Sequence, residues 1–380
     1  MDKRINLVIV GGIRTHYIKI YTFQKMLSII DKEIVSKFNF IYIDAGQHYD
    51  NVLCDDFITE QNIQFDYRIY HQSREGEYIW GNMLKELGLL YDRINSDMKI
   101  DYVIVFGDVI TTAIASLVAM FKHYKIIHIE AGVRITQSDN VEEKCRKIAD
   151  YLSEIRFTSN KCDLKHLDSE GLGHNSFFSG DVIYDYIKKI GVDSSRRIIT
   201  YKFNSQKYEF DLNQEYVLIS IHHTENQDIN ILKNIFTIYE KASYKALFIV
   251  HPIIKRMIEE NEIKSENVIL ADHIDYESNL IVIQNAKYIL TDSGGIQREA
   301  FYLNKRCIVC SSFTVWESII NLGSSRMVNS TLEDISEGIM WAENSEKIDY
   351  KYNDLFGDGN AVYTILKSIW EVDNCETFNS

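Results

Sequence analysis

A single proline, Pro252, stands in 380 residues. Turns must therefore be read from glycine, asparagine and aspartate rather than from proline. Basic charge is also short: 41 lysines and arginines face 55 aspartates and glutamates, a net charge of −14. No basic stripe runs along the chain, which argues against a nucleic-acid partner. Small anionic ligands stay open, because local donors can outweigh a distant negative field. No apolar run is long enough to span a bilayer, so no membrane partner is expected. Met1-Asp2-Lys3-Arg4 leads directly into the strand-like run from Ile5 to Val10, without a signal-peptide pattern. The six cysteines are scattered. Cys307 and Cys310 form a C-x-x-C inside the apolar stretch "RCIVCSS" with no second pair. They read as buried thiols, so neither a metal nor a cofactor is expected, and a reducing, cytoplasmic location is. Fixed-period repeats and low-complexity tracts are missing too.

Short, continuous apolar runs are what the chain does have: "INLVIV", "FNFIYIDA", "YVIVFGD", "KIIHIEAG", "IRFTSN" and "NSFFSGD". Helical patterns such as "AIASLVAMFKHY" separate them. Unalternating strands divided by helices predict parallel sheets covered on both faces. The series restarts with "YVLISIH", "KALFIVHP", "NVILADHI", "AKYILTDSGG" and "RCIVCSS" after a polar, irregular stretch near 185–210 that reads as a linker. The fold class expected is α/β, with two Rossmann-like domains and a central cleft. The domains are placed at 1–190 and 191–365. A tail at 366–380 is read as a helix that can cross back to the first domain.

In open parallel sheets, ligands bind beyond the carboxyl ends of the strands. Polar clusters follow seven of these runs: "GGIRTHYIK", "DAGQHYD", "GDVITT", "EAGVR", "HHTEN", "HP" and "DSGGIQRE". The last lies where a strand meets a helix. Asp292 or Ser293 reads there as an ordinary N-cap, or Ser293, Gly294 and Gly295 lay bare helix N–H groups for a phosphate. Other positions also carry two readings. Asp108 is a helix cap or an acid–base group. Glu142 and Glu143 answer a helix dipole, or Glu142 works on a substrate. Arg134 and Arg146 pair with these carboxylates structurally, or Arg146 contacts ligand. His48 and His251 are loop or core histidines, or ligand contacts.

Taken in order, the clusters resemble the UDP-N-acetylglucosamine 2-epimerase family over about residues 5–370, with its GT-B-like pair of Rossmann domains. The family's G-T-R-P-E-x-I-K loop stands here as Gly12 to Lys19, its G-Q-H as Gly46-Gln47-His48, and its G-D-T-x-T as Gly107 to Thr111. H-x-E-A-G-x-R is His128 to Arg134, P-E-E-x-x-R is Val141 to Arg146, H-R-A-E-N is His222 to Asn226, and D-S-G-G-x-Q-x-E is Asp292 to Glu299. The resemblance implies epimerisation at C2 of a UDP-2-acetamido sugar, by elimination and re-addition of UDP. It implies acid–base roles for Asp108, Glu130 and Glu142, and a diphosphate-facing role for His222. Arg14, Lys19, Gln47, His48, Arg146, His251, Ser293, Gly294, Gly295 and Glu299 are the implied substrate contacts, Glu299 on the ribose. A homodimer is the expected assembly.

Four departures put recognition of base and sugar in doubt. Thr15-His16 replaces the family's Pro-Glu, and the loop before Glu142 is shorter and lacks prolines. The arginine of a T-E-R-P-E segment is missing from Thr314-Val315-Trp316-Glu317, and the uracil-stacking aromatic becomes Asn279 or Leu280. Alternatives are a different nucleotide sugar, a hydrolysing 2-epimerase releasing ManNAc, a glycosyltransferase of the same architecture, or an inactive nucleotide-sugar sensor. "HHTEN" favours the non-hydrolysing branch.

Overall fold

The computed structural model describes residues 4–47, 51–71, 76–135, 140–272, 274–344 and 355–379. His48 therefore lies outside the described residues. The chain forms two compact units: Met1–Ile190 with Tyr352–Ser380, and Gly191–Lys351.

The first unit holds a seven-stranded sheet of β1 (Ile5–Gly11), β2 (Phe38–Asp44), β3 (Tyr67–Arg68), β4 (Tyr102–Phe106), β5 (Lys125–Ile129), β6 (Ile155–Thr158) and β7 (Ser176–Phe178). The spatial order is β3-β2-β1-β4-β5-β6-β7, and every pairing is parallel. β1 is buried at all seven positions, as its unbroken apolar run requires. Helices α1 (Arg14–Met26), α2 (Gly76–Asp97), α3 (Ile110–Phe121), α4 (Val141–Leu152) and α5 (Lys161–Ser169) connect the strands. One core layer packs Val8, Val10, Val103 and Val105 against Met83, Leu87, Ile114 and Val118.

In the second unit the stretch read as an irregular linker contains a hairpin of β8 (Ile198–Phe203) and β9 (Gln206–Asp211). Asn204 and Ser205 turn it with φ of 50° and 64°, a two-residue reversal whose twist suits flanking strands. Its polar outward faces hid the alternation. A six-stranded parallel sheet follows, from β10 (Tyr216–Ser220), β11 (Lys245–Ile249), β12 (Val268–Ala271), β13 (Ile289–Thr291), β14 (Cys307–Cys310) and β15 (Ser325–Val328). Its order is β12-β11-β10-β13-β14-β15. Helices α6 (Pro252–Glu260) and α7 (Gly294–Tyr302) belong to this unit. Cys307 and Cys310 are buried in β14 and free, and burial drives both thiols far up.

Helix α8 (Ala361–Asn379) belongs to the first unit. Asp185 fixes it: the carboxylate accepts from the Ala361 and Val362 amides at 2.8 Å each. Val362, Ile365, Leu366 and Ile369 are then fully buried. Among the described residues no helix is long and apolar enough to cross a membrane.

Both sheets reverse their direction of winding beside their first strand, between β1 and β4 and between β10 and β13. Such switch points open a crevice at the carboxyl ends of the strands. The two richest polar clusters occupy them.

Candidate active site

At the first switch point, β1 ends at Gly11-Gly12 and α1 departs. A Cβ on Gly12 would collide with Thr111 at the start of α3, so the two loops approach only because this side chain is missing. Gln47 joins them, its Oε1 accepting from the Thr111 amide at 2.8 Å and hydroxyl at 2.7 Å. Lys19 lies on the inner face of α1 and is 3% exposed. A buried ammonium needs a partner, and Nζ finds Glu130 Oε2 at 2.7 Å. Glu130 itself has φ +70°, rare for a residue with a Cβ. Backbone strain of this kind marks residues whose direction matters.

Asp108 follows β4. The capping reading fails here: Val109 is the N-cap residue of α3 and no side chain caps it. The Asp108 carboxylate instead meets Arg146 Nη2, while Arg146 Nη1 binds Glu143 Oε2 at 2.6 Å. Arg146 is 1% exposed, so it bridges two carboxylates from within α4. Glu142 is exposed in the first turn, its amide donating to the Asn140 side chain, and the buried member of the pair is Glu143. Burial, then the charges of Asp108 and Glu142, push the Cys145 thiol up to about 11. Arg14 lies over the Phe57 ring at 5.4 Å.

Beneath these groups runs a network with few sequence signals. His128 is fully buried in β5, its Nδ1 2.7 Å from Asp150 Oδ1 and its Nε2 2.7 Å from the Gly107 carbonyl. Both ring nitrogens are thus engaged by oxygen atoms, one on a carboxylate and one on a backbone carbonyl. Asp150 also accepts from Arg134 Nη1 at 2.7 Å and from the Gly132 amide at 3.2 Å. Burial alone would raise the Asp150 carboxyl; His128 and Arg134 outweigh it and hold it below the ordinary range. Arg134 completes its fork on Glu170 with bonds of 2.7 and 2.6 Å. The loops carrying Asp108 and Glu130 are thus tied to α4 through one carboxylate.

Asp163, at the start of α5, was missed by sequence reasoning. Burial, then the Glu130 charge, push its carboxyl up to about 8. The signal was present: Asn160, following β6, caps α5 by accepting from the Cys162 and Asp163 amides. The sign of its effect on stability follows from linkage. The folded state keeps a proton that the unfolded carboxyl, with its ordinary value of 3.8, releases, so wild-type stability falls from about pH 4 to about pH 8. Replacing Asp163 by Asn should give a protein whose advantage over wild type grows through that window and is flat above it. Urea titrations at a series of pH values would read this; a pH-independent difference would contradict it.

The second switch point is built around Asp292, which follows β13 and is 2% exposed. Its oxygens accept from the His222 amide at 2.9 Å, the His223 amide at 2.8 Å and Asn226 Nδ2 at 2.9 Å. The His222 ring adds Nδ1 to Oδ1 at 3.0 Å. Burial works against this charge, but His222, Asn226 and His223 hold the carboxyl below its ordinary range. The tautomer fixed by Asp292 presents His222 Nε2 on the opposite side of the ring. A ring nitrogen from His222 and from His223 and an Asp292 oxygen lie within 4.8 Å of one another. A cation there would have to displace hydrogen bonds that already saturate the carboxylate, so the cluster reads as an oriented histidine. His251 caps α6, its Nδ1 3.4 Å from the Ile253 amide, and its ring lies 6.4 Å from that of His222.

Ser293 is the N-cap residue of α7, and its side chain makes no capping bond. The first-turn amides of a helix have no intrahelical acceptor, so Gly294 and Gly295 present a positive dipole end without a side chain over it. Glu299 is buried a turn further on. Leu280 is 1% exposed and belongs to the core, which leaves half-buried Asn279 of the two uracil-stack positions.

Residues 32–370 match the family profile described as UDP-N-acetylglucosamine 2-epimerase. The chain belongs to that family. It is an isomerase of the nucleotide-sugar 2-epimerase type. It is 31% identical over 371 residues, 96% of this chain and 99% of the other, to a UDP-N-acetylglucosamine 2-epimerase homolog from Methanococcus maripaludis. A UDP-2,3-diacetamido-2,3-dideoxy-D-glucuronate 2-epimerase from Pseudomonas aeruginosa is 27% identical, with 88% of this chain and 91% of the other covered. The crystal structure of Methanocaldococcus jannaschii UDP-GlcNAc 2-epimerase in complex with UDP-GlcNAc and UDP superposes with a TM-score of 0.79 at 25% identity, covering 97% of this chain and all of the other.

Proposed function

We propose that the chain interconverts the C2 epimers of a UDP-2-acetamido sugar, UDP-GlcNAc and UDP-ManNAc, by eliminating and re-adding UDP. The observation that carries this reading is the grouping at one switch point of strained Glu130, salt-bridged by buried Lys19, with Asp108, bridged by buried Arg146.

C2 bears an unactivated C–H, so direct deprotonation is hard. A base takes the C2 proton while the C1–O bond breaks and UDP leaves with the bonding electrons. The 2-acetamidoglucal is then protonated at C2 from the other face, and a diphosphate oxygen re-attacks C1. Glu130 and Asp108, each set against a cation, are the carboxyl groups placed to act as the base. Glu142, exposed on the first turn of α4, is the third carboxyl in this reading. Ser293, Gly294 and Gly295 offer amides to the diphosphate, and Asp292-oriented His222 offers Nε2 to the charge that develops on it. Glu299 is assigned to the ribose. Arg14, Lys19, Gln47, Arg146 and His251 remain proposed substrate contacts, Arg146 acting mainly through Asp108.

A second reading, another UDP-2-acetamido sugar, is favoured by Trp316 in the T-E-R-P-E position and by the name of the Pseudomonas relative. Two further proposals concern context. Helix α4 exposes Val141, Ile148 and Tyr151, apolar side chains that suit a homodimer contact. The free cysteines suit a reducing cytoplasm. NMR of the protein incubated with UDP-GlcNAc tests the reaction: UDP-ManNAc should accumulate. Free ManNAc would mean hydrolysis instead, and no conversion would leave another sugar, a transferase or a sensor.

A further inference from the structure

The loops that follow the six strands of the second sheet, 221–228, 250–251, 272–275, 292–293, 311–316 and 329–331, hold no lysine or arginine. They hold histidine instead: His222, His223, His251 and, outside the described residues, His273. The cations of α6 and α7 do not fill the gap. Lys255 pairs with Asp272 at 2.7 Å, Arg256 is exposed on the second turn of α6, and Arg298 is buried against the Trp316 ring. The three described histidines differ in what engages their ring nitrogens. His222 Nδ1 lies 3.0 Å from Asp292 Oδ1. His251 Nδ1 accepts from the Ile253 amide at 3.4 Å, a role open only to an unprotonated nitrogen. The His223 ring is half-buried and stands edge-on to His222, centroids 4.8 Å apart. Among the described residues its nitrogens make no hydrogen bond. Its amide donates to Asp292 Oδ2 at 2.8 Å, and a ring nitrogen lies within 4.8 Å of an Asp292 oxygen and a His222 nitrogen. That places it beside the turn that continues as Ser293-Gly294-Gly295.

We propose that His223 is a diphosphate-binding residue that becomes an imidazolium when the nucleotide binds, so that the chain takes up a proton with its ligand. This rests on the reading of the Ser293-Gly294-Gly295 turn as the diphosphate site. Asp292 stands by two imidazoles and can balance a proton on one of them. A bound diphosphate brings further negative charge, and a proton on the second ring is then favoured. Histidine is the side chain whose ordinary titration falls between about pH 5 and 8, so this charge can form near neutrality. The other titratable groups on the surrounding loops are His222, Asp292, His251 on the β11 loop, and Glu225, which accepts from the Ser311 and Ser312 hydroxyls of the β14 loop at 2.6 and 3.2 Å. Glu299 is buried within α7, and burial keeps the Cys310 thiol neutral. No permanent cation lies on these loops to mask the change. Affinity for the diphosphate should therefore fall as pH rises, by up to about tenfold per pH unit for one linked proton.

Calorimetric titration with UDP from about pH 6 to about pH 8 tests this. Buffers of low and high ionisation enthalpy give the proton count, and a chelator excludes metal. The terminal phosphate of UDP itself titrates near pH 6, so the test lies in the difference between wild type and variants, in which that contribution cancels. Wild type should bind UDP about tenfold or more tightly at the acid end than at the alkaline end. His223→Gln, which keeps a donor but cannot titrate, should bind about tenfold more weakly than wild type at the acid end, the loss of one charge-assisted hydrogen bond. It should match wild type at the alkaline end and take up fewer protons. His223→Arg, with its charge fixed, should bind UDP at the alkaline end about tenfold more tightly than wild type does. Should the Gln variant unfold, the Arg variant carries the test. A folded His223→Gln variant with the pH slope and proton uptake of wild type overturns the inference, as does a His223→Arg variant no tighter than wild type at the alkaline end. Either result leaves the diphosphate reading standing, whereas failure of wild type to bind UDP at all overturns both.

Discussion

Asp108→Asn or Glu130→Gln should lower turnover at least about a hundredfold, with UDP binding retained, as for groups that move protons. Each change removes a negative charge from an ion pair without removing its shape. Glu130→Gln leaves Lys19 Nζ beside a neutral amide instead of the carboxylate 2.7 Å away. Asp108→Asn does the same to one arm of Arg146, whose other arm keeps Glu143 at 2.6 Å. UDP is read as bound by the second unit, so its affinity should change little. Glu142→Gln is the informative comparison, because Glu142 is exposed where Glu143 is buried. A hundredfold loss there too would establish it as the third proton-transfer group. Normal turnover in any of the three would remove that residue from the mechanism. Steady-state kinetics beside UDP titration separates the two effects.

Asp150→Ala should be the most damaging single change to the first unit's stability. It removes the carboxylate partner of buried His128, one of the two carboxylates gripped by Arg134, and the acceptor of the Gly132 amide. Breaking a buried ion pair from one side typically costs about 3–5 kcal/mol. Asp150→Asn keeps the volume and one acceptor and should cost less. Activity should fall in parallel, since the same carboxylate anchors the loops carrying Asp108 and Glu130. Denaturant unfolding would read the difference; an Asp150→Ala variant within 1 kcal/mol of wild type, roughly the scale of an exposed ion pair, would contradict the network.

The strand ends were legible because continuous apolar runs have one stable home, a buried parallel strand, and each run stops where polar residues begin. That placed Asp108, Glu130, His222 and Asp292 on carboxyl ends without any structure. What one sequence conveyed poorly was direction. Glu142 and Glu143 differ by about 100° around a helix, and α4 buries Glu143, Arg146 and Asp150 beside Cys145 and Ala149 while exposing Val141, Ile148 and Tyr151. Residue type alone therefore does not tell which side of this helix faces inward. Arg146 could be seen as a cation near carboxylates but not as the bridge between two of them. The Asn160 cap marked where α5 starts, but the raised carboxyl of Asp163 was not legible, because it comes from burial and from Glu130, which is distant in sequence. The hairpin at 198–211 was lost to its polar faces.

The most direct measurement is proton exchange at the carbon that defines the reaction. Incubated in heavy water with UDP-GlcNAc, the protein should place deuterium at C2 in both epimers, with the C2 proton signal decaying as UDP-ManNAc appears. Appearance of UDP-ManNAc that retains its C2 proton, or a complete lack of exchange with UDP-GlcNAc bound, would contradict elimination and re-addition by these carboxylates.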